Sequence, residues 1–155
     1  MTFTARPIAP FRVDVLTASD PSSFTANSQI PCTGTPQKTG ASVSSGAITL
    51  PAGSHWRIEY SAVFAGDATY GYSQFEIGLY STTDFAYVGQ SCWGTTPTQN
   101  NSRKGRVVAT ALILNSDIST SKTIEARIIS QVIMSSAVAF PSVGLPTFRI
   151  MELPA

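Results

Sequence analysis

Between His55 and Phe64 the chain reads HWRIEYSAVF, a run whose side chains alternate in character with a period of two. Trp56, Ile58, Tyr60, Ala62 and Phe64 fall on one face, and His55, Arg57, Glu59, Ser61 and Val63 fall on the other. An extended strand buried on one side sorts residues in this way, because successive Cβ atoms point to opposite faces of a sheet. The breaker Pro51-Ala52-Gly53 sets this strand off from a shorter apolar run, AITL, at Ala47–Leu50.

The same period recurs along the chain. Phe11–Thr17 (FRVDVLT) alternates with Val13 and Val15 on one face, and Gly71–Thr82 sends Phe75, Ile77 and Leu79 inward with Gln74, Glu76 and Tyr80 outward. Ala86–Trp93 is a shorter candidate. Arg106–Leu114 (RVVATALIL) is too short and too β-branched for a helix and is assigned as a core strand. Thr123–Met134 (TIEARIISQVIM) alternates through Ile124, Ala126, Ile128, Ser130, Val132 and Met134, although a helical spacing can also be drawn through it. Its β surroundings decide for a strand. Thr147–Leu153, bounded by Pro146 and Pro154, closes the set.

Ala18–Gly46 is rich in Ser, Thr, Pro and Gly and is expected to hold turns joining at most short strands. Residues 1–10, with Pro7 and Pro10, suit an extended arm. The expectation is therefore all-β: a two-sheet antiparallel β-sandwich with Greek-key or jelly-roll connections, with seven or eight strands in one domain over residues 11–155. No internal repeat points to a propeller or solenoid.

A chain of 155 residues can bury roughly 68–70% of its unfolded surface and needs no metal or disulfide staple. Only 12% of residues are charged and the net charge is +1, so the basic footprint of a phosphate-backbone binder is missing and nucleic acid is not expected as a partner. Nowhere do about 20 apolar residues run together, and MTFTARPIAP lacks the apolar stretch of a signal peptide. A protein made in the cytosol, without a membrane span, is expected. Cys32 and Cys92 are far apart and without CxxC spacing, which favours free, packed thiols over a disulfide.

Catalytic chemistry finds little to stand on. His55, the single histidine, lies on an outward strand position, and no GxSxG elbow supplies a serine for it to activate. Asp14, Glu59, Asp67, Glu76, Asp84, Asp117, Glu125 and Glu152 are dispersed one or two per element, where solubilising charges belong more readily than a glycosidase pair. Three Cys and His residues cannot make a four-ligand zinc site, no DxDxD run suggests calcium, and no phosphate-binding glycine loop occurs. Neither a catalytic residue nor a cofactor is expected.

Aromatic residues are the richest functional signal. Tyr70, Tyr72, Tyr80, Phe85, Tyr87 and Trp93 crowd into one stretch, and several project opposite Phe75, Ile77 and Leu79. They form either a core covered by loops or an exposed patch for a subunit interface or for stacking on sugars. The polar loop Gly94–Gly105 carries the adjacent pair Arg103-Lys104 and is a candidate contact loop.

The Ser/Thr-rich lead-in, ITLPAGSHWRIEYSAVF at Ile48–Phe64 and the closing PTFRIMELPA at Pro146–Ala155 resemble the trimeric jelly rolls of the complement and tumour-necrosis-factor type. The terminal strand is similar to endings of such modules in tailed-bacteriophage virion proteins. The resemblance covers about two-thirds of the chain, from about residue 40 onward. It implies a non-enzymatic homotrimer in a virion: a capsid decoration protein binding the major capsid protein or another virion protein. The alternative it implies is the receptor- or carbohydrate-binding tip of a fibre, contacting a host surface glycan. A short chain starting at Met1 with a Pro-containing arm favours decoration, with Arg6, Pro7, Ile8 and Pro10 as the candidate capsid-contact arm.

Overall fold

The computed structural model describes residues 11–19, 25–66, 73–96, 104–114, 117–133, 138–139 and 146–154. Among them run eleven strands: β1 (Arg12–Thr17), β2 (Gln29–Ile30), β3 (Ser42–Ser44), β4 (Ala47–Leu50), β5 (Ser54–Gly66), β6 (Ser73–Ser81), β7 (Ala86–Thr96), β8 (Lys104–Ile113), β9 (Lys122–Ile133), β10 (Val138–Ala139) and β11 (Thr147–Pro154). The eight that reach four residues match the eight runs expected from alternation. The three short ones are β2 and β3, inside the Ser/Thr-rich region, and β10.

Every pairing is antiparallel. One sheet runs β1-β11-β5-β8 with β10 on β5, and the other runs β7-β6-β9-β4-β3 with β2 on β9. The sheets join through β7 and β8 at the pair Gln90 and Thr110. β7 reaches both because Gly89, Gln90 and Ser91 bulge out between Val88, opposite Leu79, and Cys92, opposite Ile77. Gly89 has φ +74, and a Cβ there would collide with the Thr110 carbonyl oxygen, so the crossing admits only glycine.

The inner faces form one apolar core. Ile58 lies between Ile150 and Ala111, and Tyr60 between Phe148 and Ala109, so cross-strand neighbours share the inward side. Tyr60 and Phe148 meet with ring centroids 5.1 Å apart. Trp56 is fully buried, and its indole N–H donates to the Pro51 carbonyl at 3.1 Å, which ties the Pro51-Ala52-Gly53 turn to the strand after it. Each such side chain contributes about 1.5–3 kcal/mol by burial. Facing them from the second sheet are Ile48, Leu50, Phe75, Ile77, Leu79, Ile124, Ala126 and Ile128.

Three local expectations need correction. In β1 the buried residues are Asp14 and Leu16, while Val13 and Val15 face outward, because Asp14 finds backbone donors beneath the loop described below. In β9 the alternation fails after Ile128: Ile77 faces Ile128 but Glu76 faces Ser130, so Ile129 is an extra residue. Ser130 then shares the outward side with Glu76. Third, the loop expected at Gly94–Gly105 is shorter, since β7 runs on to Thr96 and β8 starts at Lys104.

Ala18, Ile30 and Cys32 anchor the Ser/Thr-rich region in the core, and its loop at residues 35–40 is held by carboxylates. Asp14, 6% exposed, accepts backbone N–H bonds from Gln37 at 2.9 Å, Lys38 at 3.1 Å and Thr39 at 2.7 Å. Burial pushes its carboxyl up, but these hydrogen bonds outweigh burial and bring it down to about 2. Glu152 continues the clasp, accepting from the Gly40 N–H at 2.9 Å and the Ser54 hydroxyl at 3.0 Å. Further along, Ser45 and Gly46 have φ of 51° and 78°, the two-residue turn that joins β3 to β4 with matched twist.

Candidate binding surfaces

Among the aromatic residues singled out by sequence, the structure brings Tyr80 and Tyr87 together on the outer face of β6 and β7. Their rings meet edge to face at 5.2 Å, and the Arg127 guanidinium lies 3.8 Å from the Tyr80 centroid. Glu125 fixes Arg127 through a 2.8 Å ion pair. Burial pushes the Tyr87 hydroxyl above its ordinary pKa, with Arg127 opposing the rise. Tyr80 therefore has a ring face covered by a cation, while Tyr87 stays 41% exposed.

Trp93 lies further along the same outer face, opposite Glu76 and 45% exposed. Ser91 donates to Glu76 at 2.6 Å beside it. Between the tyrosine pair and Trp93 sits Gly78, where a Cβ would meet Ile129 Cδ1 at 2.6 Å and Tyr87 Cδ1 at 3.1 Å. The bulged Ile129 thus fills the gap beside Tyr87, and Trp93 follows further along the same stripe of the outer face.

Phe85 stands apart from that stripe, in the turn joining β6 to β7. It is 82% exposed and has φ +56, a left-handed backbone state that disfavours a bulky side chain. The turn is tightly held. Ser81 donates to Asp84 at 2.7 Å, the Asp84 N–H donates back to the Ser81 hydroxyl at 3.1 Å, and Lys122 donates to Asp84 at 2.7 Å. The Lys122 and Ser81 hydrogen bonds hold the Asp84 carboxyl below the usual range. On the other side, Thr82 N–H donates to the Thr123 carbonyl and Thr123 N–H to the Thr83 hydroxyl.

A surface that sequence reasoning did not isolate covers the outer face of β1, β11, β5 and β8. Leu112 is 60% exposed, Leu114 43% and Val15 65%. One row across this face reads Val13, Met151, Arg57 and Leu112. A depression of about 220 Å³ opens there, lined by Arg57, Thr110, Ala111 and Leu112. Assigning RVVATALIL wholesale to the core hid this surface. Its inward residues are Val107, Ala109, Ala111 and Ile113, which leaves Leu112 and Leu114 on a face an antiparallel sheet ordinarily gives to polar residues. Apolarity on both faces was the signal available.

Tyr70, Tyr72, Arg103 and the arm residues Arg6, Pro7, Ile8 and Pro10 lie outside the described residues. Lys104 opens β8 opposite Ala65. His55 pairs across strands with Leu153. Cys32 and Cys92 are free thiols, and burial pushes Cys32 above its ordinary pKa. Among the described residues, no three His, Cys, Asp or Glu side chains come together in a way that could hold a metal ion.

This strand order and these two packed sheets define a jelly roll of the tumour-necrosis-factor type. The solved structures it resembles include murine APRIL at pH 8.0, with 9% identity and a TM-score of 0.57, and at pH 5.0, with 9% identity and a TM-score of 0.58. A third, murine APRIL at pH 8.5, has 10% identity and a TM-score of 0.57; each covers 93% of this chain and 100% of the matched one. At such identity the likeness concerns the fold. No protein-family model and no curated protein sequence matches the chain.

Proposed function

We propose that the chain is a non-enzymatic structural module that assembles as a homotrimer and decorates the outer surface of a phage head. The observation carrying the assembly is the outer face of β8 and its neighbours, where Leu112, Leu114 and Val15 are exposed among Arg57, Glu59 and Arg149. A weakly charged surface gains from covering such a face with another copy. The trimeric order follows the jelly rolls of complement and tumour-necrosis-factor type that the chain resembles. Placement on a virion rests on the likeness of the closing strand, within Pro146–Ala155, to endings of such modules in tailed-bacteriophage virion proteins. Three copies would multiply a modest contact with the capsid into firm attachment.

Co-sedimentation with phage heads that lack this protein tests the placement. Pelleting with the heads at stoichiometric occupancy is expected, and a trimer that stays in the supernatant with every head tried would overturn it. A second reading, a glycan-binding fibre tip, is favoured by the stripe of Tyr87, Ile129 and Trp93 beside the Glu76 and Ser91 hydrogen bond. It requires Trp93→Ala to abolish binding to a glycan array while the fold survives.

A further inference from the structure

We propose that neighbouring copies interlock head to tail, with Phe85 of one protomer seated in the depression between Arg57 and Leu112 of the next. The proposal rests on the assembly reading above and names the contact that makes it.

The first ground is the state of Phe85 itself. Its backbone is left-handed at φ +56 and its ring is 82% exposed, so both the conformation and the solvation are unfavourable in an isolated protomer. Asparagine or glycine would fit this φ without strain, and a polar residue would suit the exposure. Yet the turn around Phe85 is over-determined by Ser81, Asp84 and Lys122 on one side and by Thr82, Thr83 and Thr123 on the other. A rigid mount for an exposed ring is what an inserting anchor needs, since little conformational entropy is left to lose on binding.

The second ground is the depression. Its volume of about 220 Å³ is room for one phenyl ring, with Leu112 as the outward apolar side chain beside Arg57 and Thr110, while Ala111 turns its side chain to the core. The Arg57 side chain is 52% exposed and is tied to Glu59 at 3.8 Å, which leaves its guanidinium beside the depression to lie over the face of an entering ring.

The third ground is symmetry. Phe85 and the depression lie on different surfaces, so the contact is heterologous, and heterologous contacts close into a ring when the rotation permits. In a ring whose axis follows the strands, knob and hole must sit at similar heights. Gln90 faces Thr110 on the antiparallel β8, so moving from Gln90 back to Phe85 moves toward the Leu112 and Leu114 end of β8. Both features thus sit toward the same end of the sandwich.

One variant and one mixing experiment test the contact. Phe85→Gly removes the ring and relieves the left-handed strain, so the isolated protomer should unfold at an unchanged or higher temperature. Its association, read by light scattering across a dilution series, should weaken on the order of tenfold to a hundredfold per contact. In a Cys92→Ser background, Phe85→Cys chains mixed with Leu112→Cys chains should form disulfide-linked heterodimers, while neither chain alone does so. If the wild-type chain is a monomer, the assembly reading and this contact fall together. If the wild type is a trimer but Phe85→Gly assembles equally well and no mixed cross-link forms, the contact alone is overturned. A Phe85→Gly trimer of normal strength that no longer pellets with phage heads would overturn it too, by assigning the ring to the capsid.

Discussion

The loop at residues 35–40 and the turn at residues 82–85 are each held by an aspartate, but the two carboxylates act in opposite directions. Asp14 reaches inward from β1, is 6% exposed, and gathers the N–H groups of Gln37, Lys38 and Thr39 onto the edge of the sandwich. Asp84 lies at the surface, bridges Ser81 and Lys122, and steadies a turn that carries Phe85 into solvent. One clasp closes the chain over its own core, while the other holds a hydrophobic side chain away from it. The first clasp adds to stability, and the second mounts the ring for the contact proposed above.

Substitutions can break this contrast or sharpen it. Asp14→Ala leaves three backbone donors without their acceptor, so a loss of about 3 kcal/mol is expected in urea unfolding. Association per folded protomer should not change. Loss of assembly at full stability would dissolve the contrast.

Acid should act on the same clasp. The folded-state pKa of Asp14 lies near 2, below the ordinary value of 3.8, so its contribution is complete above pH 3.8 and is lost as pH falls through 2. The contribution is about 2 kcal/mol. It should appear as a fall in the unfolding midpoint between pH 4 and pH 2 that Asp14→Asn abolishes.

Asp84→Ala is expected to cost below about 1 kcal/mol, because the Asp84 side chain is 38% exposed and water screens its pair with Lys122. Its effect on association should be larger than its effect on stability, since the mount of Phe85 loosens. A dilution series read beside a melting curve separates the two. Smallest of all, Trp93→Ala should move stability by about 0.5 kcal/mol or less and leave assembly intact. A dissociated Trp93→Ala protein would transfer the interface to the other sheet.

Much of the architecture was legible because a period of two is a local property. Each of the eight long strands could be marked from its own residues, and two packed sheets with Greek-key or jelly-roll connections followed from their number and turn signals. Long-range pairing was not legible. FRVDVLT gives no sign that Asp14 is the inward residue, since its donors lie 23 to 25 positions later in the chain. The alternation of TIEARIISQVIM likewise conceals the bulge at Ile129, which depends on its pairing with Glu76 and Ile77.

The candidate surfaces show the same division. The crowding of Tyr80, Tyr87 and Trp93 was visible, and so was their position opposite Phe75, Ile77 and Leu79. That Phe85 leaves this group for a left-handed turn was not, because the turn is set by contacts with Lys122 and Thr123 on another strand. Arg57 and Leu112 were read as an ordinary outward residue and a core residue, and only the register of β5 against β8 sets them side by side.

The most direct measurement is the molar mass of the full-length chain in solution, by light scattering over a range of concentrations. Three times the 16.4 kDa protomer mass is expected, with Phe85→Gly shifting toward a single protomer on dilution. A wild-type mass of one protomer at every concentration would contradict the claim that the outer face of β8 is covered by another copy.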